Sequence, residues 1–166
     1  DAGDAENWVF LGVAYFRMKE YAQAQGAYDK ALALDPGNAR ACSNLGTLYL
    51  ARYVAEKDEA WLAKAAAAFN KAIGLDAELA AAYNGRGAAS KFAGQIEPAL
   101  RDWRKVLELR PDFTDAYFNI AATLIALGRK TEAGDYLQTL QAKYSQLLSA
   151  SDQQALRRLL AAARER

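Results

Sequence analysis

One phrase occurs three times in this chain at nearly regular intervals. "ALALDPGNA" (31–39), "AIGLDAELA" (72–80) and "VLELRPDFT" (106–114) each close a run of helical periodicity with an apolar residue, a polar break and a turn. Pro36 and Pro111 stand 75 residues apart, which is two periods of 34 with seven residues left over. Repetition at this length restricts a chain to few architectures. Each unit is too small to bury its apolar face alone, so successive units must stack into one continuous core.

A second recurring pattern lies upstream of each phrase. Trp8, Leu11, Gly12 and Tyr15 have the spacing i, i+3, i+4, i+7, which is one face of a helix. Leu45, Gly46 and Tyr49 repeat three of these, Tyr83 and Gly87 repeat two, and Tyr117 with Ala121 echoes them. A second helix follows each time, marked by a small residue and a bulky one four places on. The pairs are Ala24 and Tyr28, Ala65 and Phe69, Ala99 and Trp103, Ala133 and Leu137. Frequent alanine and only three prolines also favour helix over strand.

These residues resemble the tetratricopeptide repeat (TPR) family, whose pattern is W-x2-L-G-x2-Y followed by A-x3-F, A and P. The first repeat meets all of it at Trp8, Leu11, Gly12, Tyr15, Ala24, Tyr28, Ala31 and Pro36, with Tyr28 for phenylalanine. Later the match thins: Arg86 and Ser90 replace the leucine and tyrosine of the third repeat, and Ser145 stands at the closing proline of the fourth. The resemblance implies an all-α fold, a right-handed superhelical solenoid of antiparallel helix pairs forming one domain over 1–166. Its repeats fall at 5–38, 39–79 with a seven-residue insertion, 80–113 and 114–147. It also gives the glycines a reason, since Gly12, Gly46, Gly87 and Ala121 occupy the small position at which helix B crosses close to helix A. Residues 152–165 read as a polar-backed capping helix, with Ser151 and Gln154 as a capping box and Leu156, Leu159, Leu160 and Ala163 as its apolar stripe.

In this family ligands usually lie on the concave face, at repeat positions 2, 5, 9, 12 and 13 of the A helices. At 100° per residue, positions 5, 9 and 12 form a second stripe about a quarter turn from the first. The groove expected from this is Val9, Val13, Phe16 and Arg17 in the first repeat and Arg40, Ser43, Asn44 and Thr47 in the second. Asn84 and Lys91 supply it in the third, and Phe118, Asn119 and Ile125 in the fourth. A competing reading makes Val9, Val13 and Phe16 exposed only through the loss of an upstream repeat. The carboxylate clamp of chaperone-tail binders wants Lys, Asn, Lys and Arg where Val9, Val13, Ala81 and Gly85 stand, and only Asn44 fits. Chaperone carboxylate tails are therefore not expected as ligands. An asparagine ladder for an extended peptide is met at Asn44 and Asn119 but broken at Phe10 and Gly85.

Other chemistry is poorly supported. The chain has no histidine, one cysteine, and 21 basic against 20 acidic residues. That removes the commonest base and metal ligand, and any strong steering toward nucleic acid. No cofactor or metal is expected. Lys64 breaks the alanine-rich stretch at 60–69 and no leader-like segment opens the sequence, so membrane insertion is not expected and a soluble, cytoplasmic setting is slightly favoured. Gly85-Arg86-Gly87 is no phosphate loop, because no strand precedes it. Cys42 takes the position of Trp8 and reads as a buried small hydrophobe. Glu56, Asp58 and Glu59 read as a solvated turn in which Asp58 caps the next helix.

The expected function is a non-enzymatic scaffold that binds a partly apolar peptide or helix in the groove. The alternative is an accessory domain of a larger enzyme, a transferase or sulfatase-like hydrolase, or of a membrane-linked protein, packed on its parent. Self-association is a third reading. The surplus residues fall in "YLARYVAEKDEAWLAKA" (49–65), which holds no glycine, proline or serine. One extra turn on each helix is expected there, with reversal at Lys57-Asp58 and with Tyr53 and Trp61 packed on each other and on neighbouring repeats.

Overall fold

The computed structural model describes residues 2–164. Their regular structure is helical throughout, with no strand. The chain divides into two compact units, the first ending at Gln95 and the second beginning at Ile96. The first contains α1 (Ala2–Arg17), α2 (Tyr21–Leu34), α3 (Ala39–Glu56), α4 (Glu59–Leu75) and α5 (Ala80–Phe92). The second contains α6 (Ile96–Leu109), α7 (Thr114–Ala126), α8 (Lys130–Tyr144), a 3-10 turn at Ser145–Leu147 and α9 (Ala150–Arg164). No helix of the described residues is long and apolar enough to cross a membrane.

In the first unit each helix pair buries its face against the next A helix. Val9 of α1 packs with Ala31 of α2 and Ala41 of α3. Ala24 and Tyr28 of α2 pack with Leu45 and Leu48 of α3. Ala65, Phe69 and Ala72 of α4 pack with Cys42 of α3 and Ala82 of α5. The glycines sit where these helices touch. A Cβ on Gly12 would run into the Tyr28 ring, and one on Gly46 would stand 2.7 Å from Phe69 Cε1. Tyr28 is so enclosed that burial pushes its phenol up to about 12. Cys42 is 2% exposed, and burial likewise raises its thiol.

The α1 stripe differs from its sequence pattern. Ala5, Val9 and Gly12 are buried, whereas Leu11 is 38% exposed. Leu45 holds the same position in α3 and is 6% exposed, because α2 lies over it with Ala24 and Tyr28. No helix among the described residues covers Leu11 in that way.

Three A helices end in one turn. Glu20, Gln95 and Arg129 donate their amides back to the carbonyls of Tyr15, Ser90 and Leu124, at 2.9, 2.8 and 2.8 Å. Closing such a turn takes one residue at positive φ. Gly94 (φ 73°) and Gly128 (φ 75°) supply it cheaply, but Lys19 supplies it at φ 63°.

The insertion is helical. α3 has 18 residues and α4 has 17, against 13 in α5 and 14 in α6. Lys57 turns the chain at φ 58°, and the Asp58 carboxylate accepts from the Ala60 amide at 2.9 Å. Tyr53 and Trp61 do not pack on each other as expected. Trp61 stacks on Tyr49 at 5.7 Å between centroids, lies under the Arg52 guanidinium at 3.7 Å, and donates from Nε1 to Glu56 at 2.7 Å. Tyr53 instead meets Phe92 of α5 edge-on at 5.4 Å. Trp61 reaches back across the reversal to α3 at Tyr49, Arg52 and Glu56, while Tyr53 turns to the neighbouring helix α5.

In the second unit α9 packs on α7 and α8 through Leu156 and Leu160. Its capping box lies two residues earlier than the sequence suggests. The Ser149 hydroxyl accepts from the Asp152 amide at 3.2 Å, and the Asp152 carboxylate accepts from the Ser149 amide at 3.3 Å and its hydroxyl at 2.6 Å. Aspartate at the third position does the work sought from Gln154. Residue 165, in the expected capping helix, lies outside the described residues.

Candidate peptide-binding face

In the first unit the A helices α1, α3 and α5 are neighbours, and α3 touches both of the others. Of the residues expected on their open face, Val13, Phe16, Asn44 and Asn84 are half-buried, and Arg17, Arg40, Thr47 and Lys91 are exposed. Two expected residues do not line it. Val9 is 4% exposed and Ser43 is 4% exposed. Val9 fills the close contact between Ala31 and Ala41, both alanines, where only a mid-sized side chain closes the gap. Ser43 lies inside α3, where its carbonyl takes the Thr47 hydroxyl at 3.2 Å.

The half-buried apolar pair also serves the core. Val13 and Phe16 pack against the cluster of Tyr28 and Leu45. Phe16 further meets Tyr21 at 5.9 Å, a residue outside the repeat positions from which the groove was read. The signal for Tyr21 is the tight turn at Lys19, which brings the first residue of α2 back beside the last turn of α1.

Charge on this face is partly tied down. Arg40 pairs with Glu6 at 3.3 Å, and Glu6 also accepts from Asn38 Nδ2 at 3.3 Å. Asn38 in turn caps α3 by accepting from the Ala41 amide at 2.9 Å. Asn44 is different. Its carboxamide is half-buried and makes no hydrogen bond with any described residue. Gly85, between Asn84 and Arg86, faces the core rather than the groove: a Cβ there would overlap the Phe69 ring. In the second unit Phe118, Asn119 and Ile125 are half-buried on α7, and the Asn119 carbonyl accepts from Thr123 Oγ1 at 2.7 Å.

Family models described as tetratricopeptide repeat match residues 5–38 and 115–146. Among curated relatives, mouse RNA polymerase II-associated protein 3 is 33% identical over 126 residues, which is 74% of this chain and 18% of that protein. A probable UDP-N-acetylglucosamine–peptide N-acetylglucosaminyltransferase SPINDLY of Hordeum vulgare is 30% identical over 127 residues, 72% of this chain and 13% of that one. The chain thus spans less than a fifth of the length of these relatives. A solved structure of the first TPR of Spaghetti (RPAP3), bound to the HSP90 peptide SRMEEVD, superposes with a TM-score of 0.68 at 28% identity, covering 77% of this chain and 96% of that one.

This comparison overturns the exclusion of chaperone tails, because the similar solved domain holds such a tail. The exclusion rested on Val9 and Gly85 among others. Val9 is core and Gly85 is pressed on Phe69, so neither position reports on a ligand. Matched by family models at both ends and by solved TPR domains in fold, the chain is a tetratricopeptide repeat protein and a protein-interaction scaffold.

Proposed function

We propose that this scaffold holds a short peptide of mixed apolar and acidic character across α1, α3 and α5 of the first unit. The observation that carries the reading is Asn44. A half-buried carboxamide without a partner gains most from a ligand that brings an amide or carbonyl to it. Val13 and Phe16 offer apolar surface beside it, and Arg17, Arg40 and Lys91 place positive charge on the same three helices. An acidic carboxyl-terminal peptide carrying apolar residues, such as the SRMEEVD held by the solved relative, has the complementary groups.

The test is calorimetry with SRMEEVD and with a scrambled peptide of equal charge. A Kd of about 1–100 μM is expected for SRMEEVD, weakened about tenfold by Asn44→Ala. Equal binding of the scrambled peptide, or no effect of Asn44→Ala, contradicts the reading.

A second reading, that the scaffold serves a catalytic domain elsewhere in a longer protein, is supported by the transferase relative, of which this chain matches 13%.

A further inference from the structure

α6, α7 and α8 enclose a depression of about 220 Å3 in the second unit, lined by Leu107, Tyr117, Asp135, Tyr136 and Thr139. Two of its walls are phenol rings. Tyr117 and Tyr136 stand 6.4 Å apart between centroids and are inclined at 62°. Their hydroxyls are already engaged. Tyr117 donates to the Pro111 carbonyl at 3.0 Å, and Tyr136 accepts from Arg104 Nε at 3.2 Å. Tyr117 is 5% exposed and is packed by Tyr136 and Tyr144, so the half-buried Tyr136 is the ring that offers part of a face, which carries the negative part of the aromatic quadrupole.

Four charged residues of the second unit are tied to one another. Arg104 pairs with Glu132 at 2.8 Å, and Arg129 pairs with Glu132 at 2.6 Å and with Glu97 at 2.9 Å. Two guanidiniums and two carboxylates thereby neutralise one another. Asp135 is exposed, and its carboxylate makes no hydrogen bond or ion pair with any described residue, although Lys130 and Arg164 line a second depression that it shares. The Thr139 hydroxyl donates to the Asp135 backbone carbonyl at 2.9 Å, so it is not turned toward an anion.

We propose that this depression binds a basic side chain of a partner protein, namely lysine, N-methylated lysine or arginine. The aliphatic stem lies on Leu107, the cation sits against the Tyr136 ring, and Asp135 supplies the counter-charge. An acidic side chain would meet Asp135 and the Tyr136 face, both negative. A purely apolar one would cover Asp135 without pairing it. The site uses other helices than the α1–α3–α5 face, and it stands or falls independently of that face.

The test titrates the isotope-labelled full chain with blocked tripeptides Gly-X-Gly, where X is lysine, trimethyllysine, arginine or norleucine. Saturable amide shifts at Asp135, Tyr136 and Thr139 are expected for the three cationic peptides and not for norleucine. Asp135→Asn and Tyr136→Leu should each weaken binding about tenfold. Asp135 is exposed, so Asp135→Asn remains informative even if Tyr136→Leu lowers stability. Shifts that fail to saturate, equal shifts with norleucine, or unchanged binding to Asp135→Asn overturn the proposal.

Discussion

A Cβ added to Gly46 would stand 2.7 Å from Cε1 of Phe69, and one added to Gly85 would press on the same ring from α5. Phe69 is 0% exposed because two glycines on two helices make room for it. Alanine is the better helix former by about 1 kcal/mol. Yet Gly46→Ala and Gly85→Ala should each destabilise by about 1–3 kcal/mol, since the ring has nowhere to move. Urea unfolding checks this, and an unchanged or higher midpoint for either variant would show that the contact is slack.

Lys19 and Lys57 occupy positive φ, at 63° and 58°, and the turn at Lys19 is the one that Gly94 and Gly128 close with glycine. Lys19→Gly and Lys57→Gly should therefore stabilise the chain by about 0.5–1 kcal/mol each, despite the entropic cost of glycine in the unfolded state. Thermal melts of the single and double variants would reveal it, with near-additive gains expected for turns that share no contact.

Glu56 is held below the usual carboxylate range, first by its hydrogen bond from Arg52 and then by that from Trp61. A depressed carboxyl contributes stability above its unfolded value and loses it as pH falls through the folded value. The helix extension should thus loosen on the acid side of the ordinary glutamate range. Carbon-detected titration of Glu56 should give a midpoint below that range. Trp61→Phe, which keeps the ring and removes the donor, should move it upward. A midpoint unmoved by Trp61→Phe would mean that this bond is absent in solution.

Ser149→Ala should cost about 1 kcal/mol by removing the one hydroxyl that both accepts from the Asp152 amide and donates to its carboxylate. Ser151→Ala should cost far less, although the Ser151 hydroxyl lies 2.8 Å from that of Ser149. Hydrogen exchange of the first turn of α9 separates the two positions. The reverse order would restore the box read from sequence.

The repeating fold was legible because it rests on short-range spacing. Gly12 against Tyr28 and Gly46 against Phe69 follow directly from the small and bulky positions of the pattern. Asp58 as a cap and the lengthened helices around it were readable from the absence of any breaker between Tyr49 and Ala65. The candidate face was legible only in part. Helical phase places Val9 and Val13 on one stripe, but Val9 is closed off by Ala31 and Ala41 from two other helices, which no periodicity within α1 encodes. Gly85 likewise gains its role from a ring on α4. Phe16 is half-buried against Tyr28 and Leu45, so its removal should cost stability as well as binding, contrary to a purely exposed anchor.

The most direct test of the peptide-binding face is a map of where a ligand lands. Amide shifts of the labelled chain, followed during titration with SRMEEVD, should centre on Asn44 and Thr47 of α3, Arg17 of α1 and Lys91 of α5. The outward sides of α2 and α4 should stay unchanged. Shifts confined to α2 and α4, or no saturable shift at any residue of α1, α3 and α5, would contradict the account.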